Sequence, residues 1–459
     1  MADSQILFRS DLYQPTAVRT AYEEALRICR VLDEAGHTAY FAGGCVRDAL
    51  LKRTPKDFDV ATDATPERVR SIFGRRRTLA FGASFGVIGV LPPRDSDRGQ
   101  ADGTTQHDSM TKVEPTEVAT FRSDGEYTDG RRPDQVRFGD AENDALRRDF
   151  TINGLFYDPL RHRVIDFVGG VQDLEKRLLR TIGIAAERFN EDKLRMLRAV
   201  RFATVLEFEL DHSAKLEIRR RSGEVELVSG ERIGAEMRRL LMAKSVISGI
   251  RLLSETGLSE FVFPESASLE LASLDLERLT AAFASKSGMS FPAALAVISE
   301  SSSVGDTNAV VQSAATRWRL SNDEVRRTTF ALAQWSVLAR AQSIPWSKLQ
   351  PILIDRDIET ALEVTEALAT ADRLSMEGIK RCRDAISWPS ERLDPAPLIN
   401  GKDLRDAGFR PGPKFREWIE LVRRKQLDDE LVARDDALAF VRSLAESEGS
   451  GDSSTNGRR

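Results

Sequence analysis

Lys56-Asp57-Phe58-Asp59-Val60-Ala61-Thr62 decides how this chain of 459 residues is read. The run predicts a β-strand, whose side chains alternate faces, so Asp57 and Asp59 share one face while Phe58 turns to the core. Two carboxylates that close repel unless a cation sits between them. Oxygen-only ligands suit Mg²⁺, which keeps its waters and binds substrate phosphates. The expected metal site is therefore Mg²⁺ on Asp57 and Asp59. Alone, Asp-x-Asp also describes an acidic edge strand or a loop, so the surrounding sequence has to decide.

Just upstream stands Gly43-Gly44-Cys45-Val46-Arg47-Asp48, a double glycine opening a helix. Glycine lets backbone N–H groups approach an anion, the helix start adds a positive end, and Arg47 supplies a charged fork. A Gly-Gly pair alone is a turn; followed by Arg and then Asp-x-Asp, it describes a triphosphate held beside a metal pair. Downstream, Glu117 opens the strand-like EVATFR and is a candidate third carboxylate for phosphoryl transfer. An ordinary edge-strand Glu fits it equally. Arg147-Arg148-Asp149-Phe150-Thr151-Ile152-Asn153 offers Arg148, Asp149 and Asn153 as phosphate and ribose contacts, or else a salt-bridged surface turn.

The segment Glu191-Asp192-Lys193-Leu194-Arg195-Met196-Leu197-Arg198-Ala199-Val200-Arg201 reads as helical, with Leu194, Leu197 and Val200 as its apolar stripe. Asp192 and Arg195, three apart, are helix-face neighbours and fit a plain ion pair. They also place an acceptor beside donors. That edge suits cytosine and adenine, which present an amino donor next to a ring acceptor. Guanine and uracil would leave buried groups unpaired, at about 1–3 kcal/mol each. Arg198 and Arg201 continue the basic face toward phosphates.

Lys+Arg 67 against Asp+Glu 72 gives a net charge of −5, which excludes a wholly basic nucleic-acid coat. A local lane of Arg198, Arg201, Arg219, Arg220 and Arg221 remains available for RNA. No G-x-x-x-x-G-K-[ST] loop occurs, and His37, His107, His162 and His212 lack metal-ligand spacing. Cys29, Cys45 and Cys382 are too few and scattered for a disulfide framework, which predicts a cytoplasmic setting. The N-terminal MADSQILFRSDLYQ lacks the basic and apolar regions of a secretory leader, and no apolar run nears the ~20 residues of a membrane span.

Strands and helices alternate early, predicting an α+β head with a mixed sheet, and helical periodicity dominates from about Leu174. Residues 94–112, polar and glycine-bearing, read as a surface insertion between two strands. The expected division is a catalytic head over 16–158, an all-helical neck over 159–260, a helical body over 261–385, a helical tail over 386–445 and a disordered end over 446–459.

GGCVRD, DFDVAT, EVATFR, RRDFTINGLFYDP and EDKLRMLRAVRFA, in this order, resemble the motifs of the class II tRNA nucleotidyltransferase/poly(A) polymerase family of the polymerase-β-like superfamily. ERIGAEMRRLL resembles the family's following helix. The resemblance covers about Gly36 to Ala243. It implies a polymerase-β-like nucleotidyltransferase head, then helical neck, body and tail. It implies that Asp57 and Asp59 bind metal, that Gly43, Gly44 and Arg47 contact triphosphate, and that Arg148, Asp149 and Asn153 position the nucleotide. Glu191, Asp192 and Arg195 are similar to the family's amino-acid template for the incoming base, with Arg198 and Arg201 on the same helix. Leu398–Leu404 with Gly408, Pro411, Gly412 and Pro413 resembles the tail segment of bacterial CCA-adding enzymes. The implied activity is Mg²⁺-dependent addition of CCA from CTP and ATP to the 3′ end and acceptor arm of tRNA, with neither DNA nor membrane as partner. Glu117, or else Asp149, would activate the attacking hydroxyl. The alternatives are a poly(A) polymerase, an A-adding or CC-adding enzyme, or a catalytically silent RNA-binding protein.

Overall fold

Short apolar runs broken by glycine and polar turns make strands, and in the first third of the chain they assemble into one sheet. The computed structural model describes Phe8 and residues 16–82, 85–93, 114–125, 136–263, 276–285, 288–301 and 306–451. The 94–112 insertion lies outside the described residues. The chain divides into two compact units, one of Met1–Glu236 with Ser248–Val262, the other of Met237–Ile247 with Phe263–Arg459.

In the first unit α1 (Thr16–Glu34) precedes β1 (Ala39–Ala42), α2 (Gly44–Leu50), β2 (Val60–Thr62) and α3 (Pro66–Phe73). Thr65 caps α3 by accepting from the Arg68 N–H, with Pro66 in the first turn, where its missing N–H costs nothing. Next come β3 (Thr78–Gly82), β4 (Val87–Val90), β5 (Thr116–Thr120), β6 (Arg122–Asp124), β7 (Val136–Phe138), α4 (Ala141–Leu146), β8 (Leu155–Asp158) and β9 (Arg163–Asp166). Seven strands form a sheet in the order β3-β4-β5-β2-β1-β8-β9. The pairing of β2 with β5 is parallel and the others are antiparallel, so the sheet is mixed. Alternation gives it two apolar faces. Phe41, Phe58 and Tyr157 meet Phe8 and Tyr22 on one; Ala42, Ala61, Phe121, Ala145 and Phe156 cluster on the other. β1 ends where β2, β5 and β8 begin, and that end of the sheet carries the site.

The head runs past the expected limit of residue 158, because β9 pairs with β8. Buried Asp158 turns the chain by accepting from the N–H groups of Leu160 and Arg161, at 3.1 and 3.0 Å. The neck is not all-helical either. After α5 (Gly170–Glu175), the residue Arg177 takes φ 52°, and β10 (Leu178–Leu179) pairs in parallel with β11 (Glu209–Leu210). A helix through Leu174–Ile182 is thereby replaced by a strand. The remaining helices of this unit are α6 (Ala185–Glu191), α7 (Leu194–Leu206), α8 (His212–Arg221), the start of α9 (Gly230–Leu241), most of α10 (Val246–Glu255) and α11 (Leu258–Val262).

The second unit is helical, as expected of body and tail. Its helices are α12 (Leu276–Ala284), α13 (Phe291–Glu300), α14 (Thr307–Trp318), α15 (Asn322–Ala339), α16 (Trp346–Leu353), α17 (Ile358–Ala371), α18 (Glu377–Ile386), α19 (Ser390–Leu393), α20 (Gly401–Asp406), α21 (Lys414–Leu427) and α22 (Arg434–Gly451). Asn400 and Asp403 form a reciprocal capping box on α20. Ile399, Leu404, Val422, Ala437 and Val441 make a separate apolar core among α20, α21 and α22. α22 continues to Gly451, past residue 446 where a disordered end is expected, carried by the good helix formers Leu444, Ala445 and Glu446, and residues 452–459 of that expected end lie outside the described residues. No helix among the described residues is long and apolar enough to cross a membrane.

Candidate nucleotide site

Gly43 links β1 to α2 with φ 67° and ψ −118°, a conformation open to glycine and strained for other residues. Its N–H donates to the Leu155 carbonyl on β8 at 2.9 Å, which ties the turn to the sheet. A Cβ there would stand 2.8 Å from Nη1 of Arg148. The missing side chain is what lets the guanidinium lie against the turn. Arg148 donates twice to Asp144, at 2.8 and 3.2 Å, and once to the Asn153 carbonyl at 3.1 Å. Arg47, on the first turns of α2, donates to Oδ1 of Asn153 at 2.7 Å and stacks over Phe202. Two guanidinium groups thus flank a glycine turn, the chemistry that holds phosphate.

The carboxylates converge on the same end of the sheet. β2 begins only at Val60, so Asp57, Phe58 and Asp59 form its lead-in, with the Asp59 carbonyl accepting from the Ala42 N–H at 3.0 Å. The expected alternation survives: Phe58 is buried between exposed Asp57 and half-buried Asp59. Val60 on β2 is in register with Val118 on β5, so one residue back in this parallel pair Asp59 lies beside Glu117. β5 lies inside the sheet, which removes the edge-strand reading of Glu117. Burial, then the charges of Asp57 and Glu117, push the Asp59 carboxyl up to about 7 against the pull of Arg148. Among the described residues no group of three or more carboxylate, imidazole or thiol side chains is arranged to hold a metal ion by itself. Asp57, Asp59 and Glu117 offer oxygen ligands only, the donor type of hard cations.

Asp149 sits at the centre. Its carboxylate accepts from the Phe150 N–H at 2.8 Å, from Nδ2 of Asn153 at 3.0 Å and from Arg198 at 2.5 and 3.0 Å. Burial opposes ionisation, but the Arg198 charge and the Asn153 amide outweigh it and hold the carboxyl down at about 2. Beyond Arg198 lies the expected base-reading segment, which is not one helix. α6 ends at Glu191, Asp192 takes φ −148° and ψ 110°, and α7 starts at Leu194. Asp192 and Arg195 consequently do not form the expected i,i+3 pair. Asp192 accepts from both Nη atoms of Arg232, at 2.6 and 3.2 Å, and from the Leu194 N–H at 3.0 Å. Arg195 pairs with Glu191 and donates to the carbonyls of Arg188 and Arg147, at 3.3 and 3.4 Å.

One open cavity of about 470 Å³ gathers most of the expected residues: its lining includes Gly43, Gly44, Arg47, Asp59, Arg148, Asp149, Asn153, Asp192, Arg195 and Arg198. That volume is in the range of small-molecule sites. Asp57 and Glu117 are not among the lining residues, though their charges bear on Asp59, which is. Glu191 stands behind Arg195. Arg201 departs from expectation: it is 7% exposed and bonded to Glu236 at 2.7 Å, so it is not placed to meet phosphates. The basic lane is thinned again at Arg221, which pairs with Glu224, while Arg219 and Arg220 are exposed. Sequence reasoning missed Phe202, Asp144, Arg232 and Glu236. Asp144 was within reach, being three and four residues before Arg147 and Arg148 on a helix. Arg232 and Glu236 lie some 40 residues from their partners, with no local signal.

The poly A polymerase head domain family matches residues 39–180, and a family described as the probable RNA and SrmB-binding site of polymerase A matches residues 207–269. The chain is 32% identical to the CCA-adding enzyme of Latilactobacillus sakei over 427 residues, 92% of this chain and 98% of that one. It is also 32% identical to the CCA-adding enzyme of Geobacillus kaustophilus, over 90% of this chain and 95% of the relative. Among solved structures, the Bacillus stearothermophilus CCA-adding enzyme in complex with CTP is similar with a TM-score of 0.73 and 27% identity, covering 94% of this chain and 99% of that one. The Thermotoga maritima CCA-adding enzyme complexed with tRNA shares the fold at a TM-score of 0.62 and 19% identity, over 96% and 98% of the two chains.

Proposed function

The chain belongs to the CCA-adding enzyme family, and on that premise we propose that it extends the 3′ end of tRNA by C, C and A, transferring CMP and AMP from CTP and ATP and releasing pyrophosphate. The observation that carries this reading is the single cavity in which a glycine turn with two arginines meets the Asp192/Arg195 corner. A nucleoside triphosphate needs both, and Asp149 connects them through Asn153, the partner of Arg47, and Arg198, on the helix of Arg195, which offers contacts for the ribose.

Arg47 and Arg148 bind the triphosphate. Each is held in place by protein oxygens, so little side-chain freedom is lost when substrate arrives. Asp192 and Arg195 present an acceptor and donors to the base edge. This accepts cytosine and adenine and refuses guanine and uracil, whose opposed pattern would leave the buried readers unpaired. Asp57 and Asp59 are the metal-holding residues, and the charge repulsion concentrated on Asp59 fits a resident cation, for which Mg²⁺ is the match to an all-oxygen set. Bound there, the ion supplies charge stabilisation at the transferring phosphoryl group. Glu117 takes the proton of the tRNA 3′-hydroxyl as it attacks the α-phosphate. Asp149 is the weaker candidate for that step, since Phe150, Asn153 and Arg198 already occupy its carboxylate.

The division into head, neck, body and tail stands as our proposal for how this work is shared, with tRNA bound beyond the head. A cytoplasmic location is supported by three buried cysteines that are all free thiols. The test is incubation with tRNA lacking its terminal CCA plus CTP and ATP, singly and together, followed by sequencing of the product. A three-nucleotide extension that needs both nucleotides is the expected result. A long ladder of A on an unstructured RNA would replace this reading with poly(A) synthesis, and growth only of tRNA ending in CC with A-addition.

A further inference from the structure

The two residues that would read the base lie three apart, carry opposite charges and nevertheless do not pair. Each is instead held by a separate counter-ion. Asp192 is gripped from α9 by both Nη atoms of Arg232, and Arg195 is gripped from α6 by Glu191. We propose that Arg232 is a specificity-determining positioning residue, which keeps Asp192 from collapsing onto Arg195 and so holds the base-reading edge open. The proposal rests on the reading that Asp192 and Arg195 meet the incoming base.

Asp192 sits at the break between α6 and α7, its N–H closing α6 on the Arg188 carbonyl and its own carbonyl accepting from the Arg195 N–H. Apart from Arg232, the Leu194 N–H anchors its carboxylate, at 3.0 Å on Oδ1. Arg232 adds a second bond to Oδ1 and one to Oδ2, so by lone-pair count Oδ2 keeps one acceptor site. That one site is enough for a single amino donor. Without Arg232 the Asp192 carboxylate is left facing two cavity guanidiniums, Arg198, whose charge it already feels, and Arg195, whose backbone N–H donates to the Asp192 carbonyl at 3.0 Å. A direct Asp192–Arg195 pair would consume the acceptor and donors together. Neither would then penalise uracil or guanine, because neither would be left unpaired by them. Arg232 lies behind Asp192 and not on the cavity wall, so it acts through Asp192 alone. The same helix places Glu236, one turn on, against Arg201 at 2.7 Å and near Arg198 at 3.8 Å. One face of α9 thus supports both the base end and the Asp149 end of the cavity.

The experiment compares wild type with R232A, R232K and D192A on tRNA lacking CCA, measuring kcat/KM for CTP and for UTP at the first position. R232A should lower the CTP:UTP preference at least about tenfold, chiefly by losing CTP efficiency while UTP efficiency holds or rises. R232K keeps the charge but not the two-pronged grip, and should fall between R232A and wild type. A merely structural role would depress both nucleotides by one factor; that result in a folded R232A overturns the proposal. If R232A does not fold, R232K decides in the same way: an unchanged CTP:UTP ratio sinks it. D192A separates the two layers. Lost discrimination in D192A with intact discrimination in the Arg232 variants refutes only the role of Arg232. Intact discrimination in D192A refutes the base-reading assignment itself.

Discussion

Gly43→Ala tests the geometry of the phosphate end most sharply, because two independent costs can be worked from the structure. The first is backbone strain. At φ 67° and ψ −118° an L-residue is held in a region that costs about 1–3 kcal/mol. The second is steric. The new Cβ would meet Nη1 of Arg148 at 2.8 Å, well inside contact distance. Arg148 is not free to swing away, since Asp144 holds it at 2.8 and 3.2 Å and Nη1 itself donates to the Asn153 carbonyl at 3.1 Å. Giving up that charge-assisted bond costs about 1.5–3 kcal/mol. With partial relaxation the variant should lose about 3 kcal/mol in urea unfolding. A displacement of Arg148 by about 1 Å should reduce CTP incorporation by about 10²-fold. A double-mutant cycle separates the two terms: in an Arg148→Ala background the steric share disappears and only strain remains. A Gly43→Ala protein that is destabilised by less than about 0.5 kcal/mol and retains activity within about twofold would falsify the reasoning.

Other expectations follow from single contacts. Asp59→Asn should reduce nucleotide addition by about 10³-fold while tRNA binding, measured by filter retention, stays within about twofold; near-normal addition would move the metal elsewhere. Glu236→Gln removes the charge of the carboxylate that buried Arg201 bonds at 2.7 Å and should cost about 3 kcal/mol in chemical denaturation. In the second unit, hydrogen bonds from Arg238, with further help from Ser321, outweigh the opposing burial and hold the Glu324 carboxyl at about 2, against an ordinary 4.5. A depressed folded-state pKa means stability that is full above the unfolded value and lost as pH falls through the folded one. The stability gap between wild type and Glu324→Gln should therefore be constant above pH 4.5 and close toward pH 2; a gap that widens on acidification would reverse the sign.

Local chemistry was legible in the sequence wherever it is stored in adjacent residues. Phe58 between two aspartates announced its own alternation, and the double glycine Gly43-Gly44 announced a turn opening a helix. What escaped was information shared between distant segments. The periodicity of Glu191–Arg201 suggested one helix, and the break at Asp192 is explained only by Arg232, 40 residues later, which no spacing rule reaches. Arg201 looked like its neighbour Arg198; burial against Glu236 separates them. The strand at Leu178–Leu179 overrode a helical pattern because a partner was waiting at Glu209–Leu210. Glu117 gained its place from the parallel register with β2, a property of the sheet and not of either strand.

That register also explains why a long insertion can be tolerated beside a demanding reaction. The connection through residues 94–112 leaves β4 and re-enters at β5, the strand that carries Glu117. β5 is locked on both sides, antiparallel to β4 and parallel to β2, so the separation of Glu117 from Asp59 is set by the inter-strand spacing of about 4.8 Å. Lengthening the connection changes chain entropy only logarithmically and leaves that spacing untouched. The separation of Asp59 from Glu117 and the length of this connection are thus independent variables: sequence added or trimmed between β4 and β5 leaves the two carboxylates in step.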